Sequence, residues 1–195
     1  DGTMAQKQGA LVNVFDNLLG TTLKPLIAVM IDEIKTGPEP IENEAEDIKA
    51  RAEILAKEIV PNIDKNFRTL TDSKNRGVMG PGSEGPIAVY TAFRYPELFG
   101  GVAVQTMFTQ ERAEVAFKDL IKNANEVPMR VYLDWGIYDS RAPLEGWDTR
   151  KESRRWFEIF QDHGYKPAGG EVHQGAGWPN WRNRADRWLA ALFPM

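Results

Sequence analysis

A glycine-rich turn between a predicted strand and a predicted helix constrains this chain more than any other feature. The residues Arg76-Gly-Val-Met79 are typical of the end of a short buried strand, and Gly80-Pro-Gly-Ser-Glu-Gly85 follows them directly. Apolar residues then recur with helical spacing from Ile87 to Arg94. A turn of this kind presents the N-terminus of a helix, where negative charge is stabilised. The stretch therefore predicts a site for a polar or anionic group at the end of a strand.

The rest of the chain alternates between amphipathic and short apolar segments. Leu26 to Ile31 is a continuous apolar run, which predicts a strand buried on both faces, and Pro61 predicts a break or kink in the helix before it. The predicted helices cover about residues 9–19, 42–60, 110–122, 148–163 and 180–192, and the further predicted strands cover 102–104, 130–135 and 171–173.

This alternation predicts an α/β fold, with a mostly parallel sheet and helices on both of its faces. Ligand sites in such sheets lie at the carboxyl ends of the strands. Three segments there have polar or glycine-rich turns, and they are 80–85, 136–139 and 173–178. Because no linker or repeat interrupts the pattern, we predict a single domain over residues 1–195.

Composition excludes several classes of function. The 195 residues carry a net charge of −4, so the chain has no basic footprint for nucleic acid. No apolar run approaches the roughly 20 residues that span a bilayer. The chain has no cysteine, which excludes disulfides and thiolate metal sites. No histidine or carboxylate pair has metal-site spacing, and we expect neither a metal nor a cofactor. The start Asp1-Gly2-Thr3 is compatible with processing, which favours a periplasmic or secreted protein.

Read together, several segments resemble the enterochelin-esterase-like branch of the α/β-hydrolases. The likeness runs along nearly the whole chain, and it is specific as a set although each segment alone is weak. The matching segments are Phe15-Asp-Asn-Leu-Leu19, Pro25 to Asp32, Glu58 to Thr69, Tyr95-Pro-Glu-Leu-Phe-Gly100 and Trp178-Pro-Asn-Trp-Arg182. The resemblance implies an α/β-hydrolase-like fold and descent from enzymes that cleave carboxylic esters with a serine, histidine and acid triad.

The same resemblance places two of the three catalytic groups on residues that cannot act. The nucleophile position falls on Gly82, and the glycine that follows in the family pattern is replaced by Glu84. The acid is matched by Asp139, but the histidine position is Ala176. Losing a triad member lowers the rate by about four to six powers of ten. We therefore expect a catalytically inactive esterase-like domain of a larger bacterial protein, which binds a ligand or acts as a scaffold.

The retained helix N-terminus predicts a site for a small ester, carboxylate or carbohydrate ligand. Its candidate binding residues are Gly82, Glu84, Ala176 and Trp178. Each has a structural alternative: Glu84 is favoured by the helix dipole in any case, and most tryptophans are core residues. Asp139 is either the retained acid or a turn residue that binds nearby backbone N–H groups.

An alternative reading keeps the chain active with a shifted triad. In it Ser83 attacks, His173 is the base and Asp139 orients the imidazole. Against it, Pro81 occupies a position where the strained turn favours a small residue, and His173 lies three residues before the expected place. Ser83 is otherwise a turn or capping hydroxyl, and His173 a strand-end histidine.

The beginning of the sequence carries one more expectation. Asp1-Gly2 resembles the end of an early central strand of the family, and the strands that normally precede it are not in this sequence. A parallel sheet without them has an open edge. We expect a partner segment or a homodimer to complete the sheet.

Overall fold

The computed structural model describes residues 2–37, 41–109, 117, 119–124, 128–142 and 146–194. Its helices in chain order are α1 (Gly2–Lys7), α2 (Leu11–Leu18), α3 (Glu44–Ile54), α4 (Val60–Asn66), α5 (Gly85–Arg94), α6 (Thr149–Asp162), α7 (Trp178–Trp181) and α8 (Ala185–Leu192). Its strands are β1 (Gly77–Gly82), β2 (Gly101–Met107), β3 (Arg130–Gly136), β4 (Arg141–Ala142), β5 (Trp147–Asp148) and β6 (Ala168–Val172).

Four strands form one parallel sheet in the order β1-β2-β3-β6. All residues of β2 are buried, whereas β1 is half-buried and lies at an edge of the sheet. The short strands β4 and β5 form a separate antiparallel pair beyond the carboxyl end of β3. The predicted α/β-hydrolase-like fold, a mostly parallel sheet with helices, is confirmed.

Side chains from the two faces of the sheet enter two hydrophobic clusters. Val102 and Val104 of β2 enter the first cluster with residues of α3, α5 and α6, and Ala103 between them enters the second with residues of α2 and α8. This alternation follows from the pleat of a strand, which points successive side chains to opposite faces. Helices therefore cover both faces, as the alternating sequence pattern predicts.

The predicted strand Leu26–Ile31 is wrong. The segment is irregular, and the side chains of Ile27 and Val29 are 50% and 45% exposed. An apolar run becomes a strand only when a neighbouring strand takes up its backbone hydrogen bonds. Within the described ranges, no strand pairs with this segment.

The break or kink predicted at Pro61 is a π-helical turn directly before it, and the helix does not end there. The helix that begins at Glu44 continues through a π-helical turn at Leu55–Ile59 and into α4, which ends at Asn66. The π-helical turn shifts the hydrogen-bond register, so that Pro61 lies at the start of α4, where its missing N–H is tolerated. Of the helix predicted over 110–122, residues 117 and 119–122 are helical, and 110–116 and 118 lie outside the described residues.

Two predictions near the C-terminus need new boundaries. Strand β6 covers Ala168–Val172, so His173 follows the strand instead of belonging to it. A side chain at Gly169, whose φ is +108°, would meet the carbonyl oxygen of Leu133 at 2.3 Å, and such glycines hide the strand from a hydrophobic pattern. The last predicted helix begins earlier, at Trp178, and includes a 3₁₀ turn at Arg182–Arg184.

Candidate active site

The glycine-rich turn forms the sharp strand-to-helix connection that the sequence predicts. β1 ends at Gly82, and α5 begins at Gly85. The close approach of the two elements requires glycine at two places. A Cβ at position 80 would lie 2.2 Å from the carbonyl oxygen of Glu84, and one at position 85 would lie 2.8 Å from Cγ1 of Val104.

Gly82 has the backbone and the surroundings of a residue that presents its side chain at such a turn. Its φ is +60°, a left-handed value that strains most side chains. Among the described residues, a Cβ at this position would contact only the ring of Trp181, at 3.5 Å, so these residues leave space for a side chain. The residue that the resemblance places at the nucleophile position therefore has no side chain to react.

An open cleft of about 460 Å³ lies over this turn. Four residues of the turn line it, together with polar groups from β2, the turn after β3 and α6, and with aromatic rings. Its lining residues are Pro81, Gly82, Ser83, Glu84, Thr106, Phe108, Ser140, Thr149, Ala176, Trp178 and Trp181. The candidate binding residues Gly82, Glu84, Ala176 and Trp178 are thus brought together in one cleft. Because α5 begins beneath it, the cleft suits a group that carries negative charge.

Asp139 lies in the turn after β3, where its N–H donates to the carbonyl of Gly136 at 3.1 Å. Its side chain is buried, and Oδ2 accepts a hydrogen bond from Thr106 Oγ1 at 2.7 Å. The other oxygen, Oδ1, is buried without a hydrogen-bond partner. Burial raises the pKa of Asp139, and the hydrogen bond from Thr106 partly opposes that rise. In the family pattern that this chain resembles, the acid at this position interacts with a histidine.

Thr106 connects Asp139 to the aromatic wall of the cleft. Its hydroxyl accepts a hydrogen bond from Trp181 Nε1 at 3.1 Å and donates its own proton to Asp139. Its φ of +62° is unusual for a β-branched residue, and the pairing between β1 and β2 shifts register at the same point. The sequence pattern does not reveal this residue, since a threonine at the end of a buried strand is unremarkable.

A buried ion pair lies beside the cleft, and sequence reasoning missed it. Arg184 donates from Nε and one terminal nitrogen to the two oxygens of Asp134, each at 2.9 Å, and both side chains are fully buried. Its other terminal nitrogen donates to Gln174 Oε1 at 2.6 Å. Tyr132 donates to Asp134 Oδ2 at 2.6 Å, and burial followed by the charge of Asp134 raises the pKa of Tyr132.

This network fixes the segment that carries the histidine position. Gln105 of β2 reaches the backbone carbonyl of Trp181 at 3.1 Å, and Asn180 reaches that of Ala176 at 3.0 Å. Trp181 and Arg184 are therefore tied to β2 and β3, and the bond from Asn180 to Ala176 lies within the segment itself. The sequence offers two signals for this ion pair: Arg184 lies in a polar C-terminal segment, and Asp134 lies inside an apolar strand. Nothing in the sequence indicates that these two residues pair with each other.

The residues of the shifted triad make no hydrogen bonds with one another in the described part of the chain. The hydroxyl of Tyr138 lies 3.5 Å from His173 Nδ1, and the two rings pack edge-to-face, whereas Asp139 bonds to Thr106. Ser83 lines the cleft, and its hydroxyl makes neither a capping bond to α5 nor any other hydrogen bond to a described residue.

The tryptophans divide between core and cleft. Trp135 is buried in the first cluster and donates from Nε1 to Glu171 at 3.1 Å. Trp178 is only 9% exposed and packs edge-to-face against Trp181, so it belongs to the second cluster as well as to the cleft wall. Trp147 packs edge-to-face against Phe108, which itself lines the cleft.

Among the described residues, no group of three or more histidines and carboxylates could hold a metal ion. Within the same residues, none of the helices has the length and apolar character needed to cross a membrane.

The parallel sheet, with a glycine-rich turn after β1 and an acid in the turn after β3, has the α/β-hydrolase type of fold. The profile of the family described as "Putative esterase" matches residues 2–195, and the chain belongs to that family. The predicted relation to esterases of the α/β-hydrolase type is confirmed. A comparison with curated protein sequences finds no match.

Solved structures of esterases share this fold. A ferulic acid esterase superposes with a TM-score of 0.71 at 14% identity, over 97% of this chain and 79% of its own. The enterobactin esterase of Shigella flexneri, solved with 2,3-dihydroxy-N-benzoyl-glycine, superposes with a TM-score of 0.59 at 18% identity, over 76% of this chain and 40% of its own. S-formylglutathione hydrolase from Staphylococcus aureus gives a TM-score of 0.56 at 9% identity, over 74% of this chain and 65% of its own. The match thus spans less than half of the enterobactin esterase.

Proposed function

We propose that this chain is a non-hydrolytic member of the esterase family that binds a small carboxylate or ester in the cleft over Gly82. The single observation that carries the proposal is the nucleophile position itself. Gly82 has the left-handed backbone of that position and open space in front of it, but no hydroxyl. Glycine offers no atom that could form an acyl intermediate.

The hydrogen bonds of Asp139 support the same proposal. A catalytic acid orients a histidine, and that histidine takes the proton from the nucleophile. Here Asp139 accepts from Thr106, its second oxygen is unpaired, and position 176 is an alanine. The acid therefore has neither an imidazole to orient nor a route for a proton to the cleft.

The features that bind remain in place. The N-terminus of α5, a helix of ten residues, faces the cleft, and backbone N–H groups at a helix N-terminus stabilise a carboxylate or a polarised carbonyl. The rings of Phe108, Trp178 and Trp181 provide apolar walls beside this polar end. Such a combination of apolar walls and few polar groups is typical of small-ligand sites.

A hydrolysis assay tests the absence of catalysis. We expect purified protein to release 4-nitrophenol from 4-nitrophenyl acetate no faster than an equal concentration of its Ser83→Ala variant. The shifted triad predicts the opposite, since removal of the Ser83 hydroxyl would then lower the rate by about four powers of ten or more. A wild-type rate that depends on Ser83 would overturn the proposal.

A titration with benzoate followed by amide NMR tests binding. We expect the largest shifts at the amides of Ser83, Glu84 and Gly85, because these lie at the helix end that faces the cleft. Ala176→Trp is the informative variant, since a large side chain at this lining position would fill the cleft. If benzoate shifts the same amides equally in this variant, the cleft is not its site.

A further inference from the structure

Glu84 is the one charged side chain among the described residues that line the cleft over Gly82. The residue is half-buried, and its carboxylate makes neither a hydrogen bond nor an ion pair with any described residue. Burial removes part of the water that stabilises a charge, so a half-buried carboxylate normally has a partner. The cleft therefore presents an unpaired negative charge to a ligand.

The described surroundings of the cleft do not neutralise this charge. Arg184 lies beside the cleft, but it donates to both oxygens of Asp134 and is already paired. The N-terminus of α5 corresponds to about half a positive charge, which offsets only part of the charge on Glu84. A ligand that carries only negative charge would be attracted by the end of the helix and repelled by Glu84.

Two aromatic residues of the cleft wall contact the turn that carries Glu84. Trp181 is fixed by the hydrogen bond from its Nε1 to Thr106, and its ring carbon Cη2 lies 3.5 Å from the position of a Cβ at Gly82. The backbone N–H of Phe108 donates to the carbonyl of Gly82 at 3.3 Å, and Phe108 also lines the cleft. The face of an aromatic ring attracts cations, and quaternary ammonium groups bind where several rings meet.

We propose that the cleft selects ligands that carry an ammonium group beside their ester or carboxylate. The carbonyl or carboxylate end faces the N-terminus of α5, and the ammonium end binds Glu84 and the rings of Phe108 and Trp181. A cationic ester or a zwitterion satisfies both parts of the cleft, whereas benzoate satisfies only the first. This inference rests on the proposed function, since it names the chemical class of ligand for the same cleft.

The lining of the cleft favours an organic cation over a metal ion. Metal ions such as Ca²⁺ and Mg²⁺ need several oxygen ligands, and the described residues contain no group of three or more histidines and carboxylates that could hold one. An ammonium group that carries carbon substituents needs less, because one carboxylate balances its charge and aromatic rings cover its substituents. The cleft volume of about 460 Å³ is within the range of sites for small organic ligands.

Two esters of equal shape test the charge preference. Acetylcholine and 3,3-dimethylbutyl acetate differ only in the replacement of the quaternary nitrogen by carbon, and amide NMR at residues 83–85 reports the binding of each. We expect acetylcholine to bind about ten-fold more tightly. Glu84→Gln should remove this preference by weakening acetylcholine alone. Glu97→Gln is the matched control, because it removes the same charge beyond the other end of α5, roughly 15 Å away, and should change neither affinity.

The outcomes separate this inference from the proposed function. Equal affinity of the wild-type protein for the two esters, or an equal loss in Glu84→Gln and Glu97→Gln, would overturn the ammonium preference and leave the cleft as a ligand site. If neither ester shifts the cleft amides, the proposed function fails and this inference fails with it. Release of choline that is lost in Ser83→Ala would contradict only the absence of hydrolysis.

A second variant tests the aromatic part of the site. Phe108→Leu keeps an apolar side chain in the cleft wall but removes a ring face. We expect it to weaken acetylcholine about three-fold and to leave the affinity for 3,3-dimethylbutyl acetate unchanged. An equal loss for both esters would mean that Phe108 contributes only apolar contact, which contradicts its proposed role in binding the cation.

Discussion

Two neighbouring regions at the carboxyl end of the sheet differ in how completely their polar groups are paired. The first, which we call the frame, is the buried network of Asp134, Arg184, Tyr132, Gln105 and Gln174. There Asp134 accepts from Arg184 at both oxygens and from Tyr132 as well. The second region is the cleft, where the acid Asp139 has one hydrogen bond to Thr106 and one buried oxygen without a partner.

This difference separates the groups that hold the fold from the acid in the cleft. Removing one partner from a buried ion pair leaves an uncompensated charge, so the frame tolerates little change. Asp139 makes no hydrogen bond to a histidine among the described residues, and one of its oxygens is buried without a partner. We infer that the fold depends on the frame and depends little on the acid of the cleft.

The largest expected effect comes from breaking the frame. Asp134→Ala should lower the free energy of unfolding by about 3–5 kcal/mol, because it leaves the charge of the buried Arg184 guanidinium without a carboxylate partner. Urea denaturation measures the change. Glu53→Ala is the control, since it breaks the exposed pair with Lys57 and should leave the unfolding midpoint unchanged. Equal effects of the two variants would show that the frame does not support the fold.

Alanine substitutions at the two ends of the turn that carries Gly82 should differ in their effect on stability. Gly80→Ala should cost about 2–3 kcal/mol, because its Cβ would lie 2.2 Å from a backbone carbonyl. Gly82→Ala should cost about 1–2 kcal/mol, since it meets open space and only the left-handed backbone opposes it. Thermal unfolding of the two variants measures the difference. A larger loss at position 82 would mean that the cleft is packed and not open.

Asp139→Asn should stabilise the protein, whereas substitution of Asp134 in the frame should destabilise it. Because burial raises the pKa of Asp139 in the folded state, wild-type stability falls as pH rises from the unfolded pKa of 3.8 through the folded value. At pH values above the folded pKa, the ionised carboxylate lowers the free energy of unfolding by a constant amount. Asparagine still accepts from Thr106 and has no charge, so we expect a gain of about 1 kcal/mol at pH 7 and a flatter profile. Urea denaturation between pH 3 and 7 follows the profile, and a variant less stable at pH 7 than at pH 4 would contradict this reasoning.

The sequence predicts the fold well where local and tertiary signals agree. The glycine-rich turn, the buried strand β2 and helix α6, whose N-cap Asp148 accepts from the N–H groups of Arg150 and Lys151, all lie where the patterns place them. The strand at Leu26–Ile31 fails because its apolar composition says nothing about the neighbour that a strand requires. Strand β6 is displaced because its glycines carry no hydrophobic pattern.

The sequence also predicts one part of the candidate site and misses another. Gly82, Glu84, Ala176 and Trp178 meet in one cleft as the family resemblance implies. The hydrogen bonds of Thr106 and the pairing of Asp134 with Arg184 join residues 33 and 50 positions apart, and no periodicity in one sequence reports contacts over such separations. Sequence alone therefore locates the cleft but not the network that holds it.

Labelling with a fluorophosphonate probe, read by intact-mass spectrometry, tests the central claim most directly. We predict no adduct on the wild-type chain and an adduct on the introduced serine of the Gly82→Ser/Ala176→His variant, which restores the two missing groups. An adduct on Ser83 of the wild-type chain, lost in Ser83→Ala, would contradict the account and identify a working hydrolase.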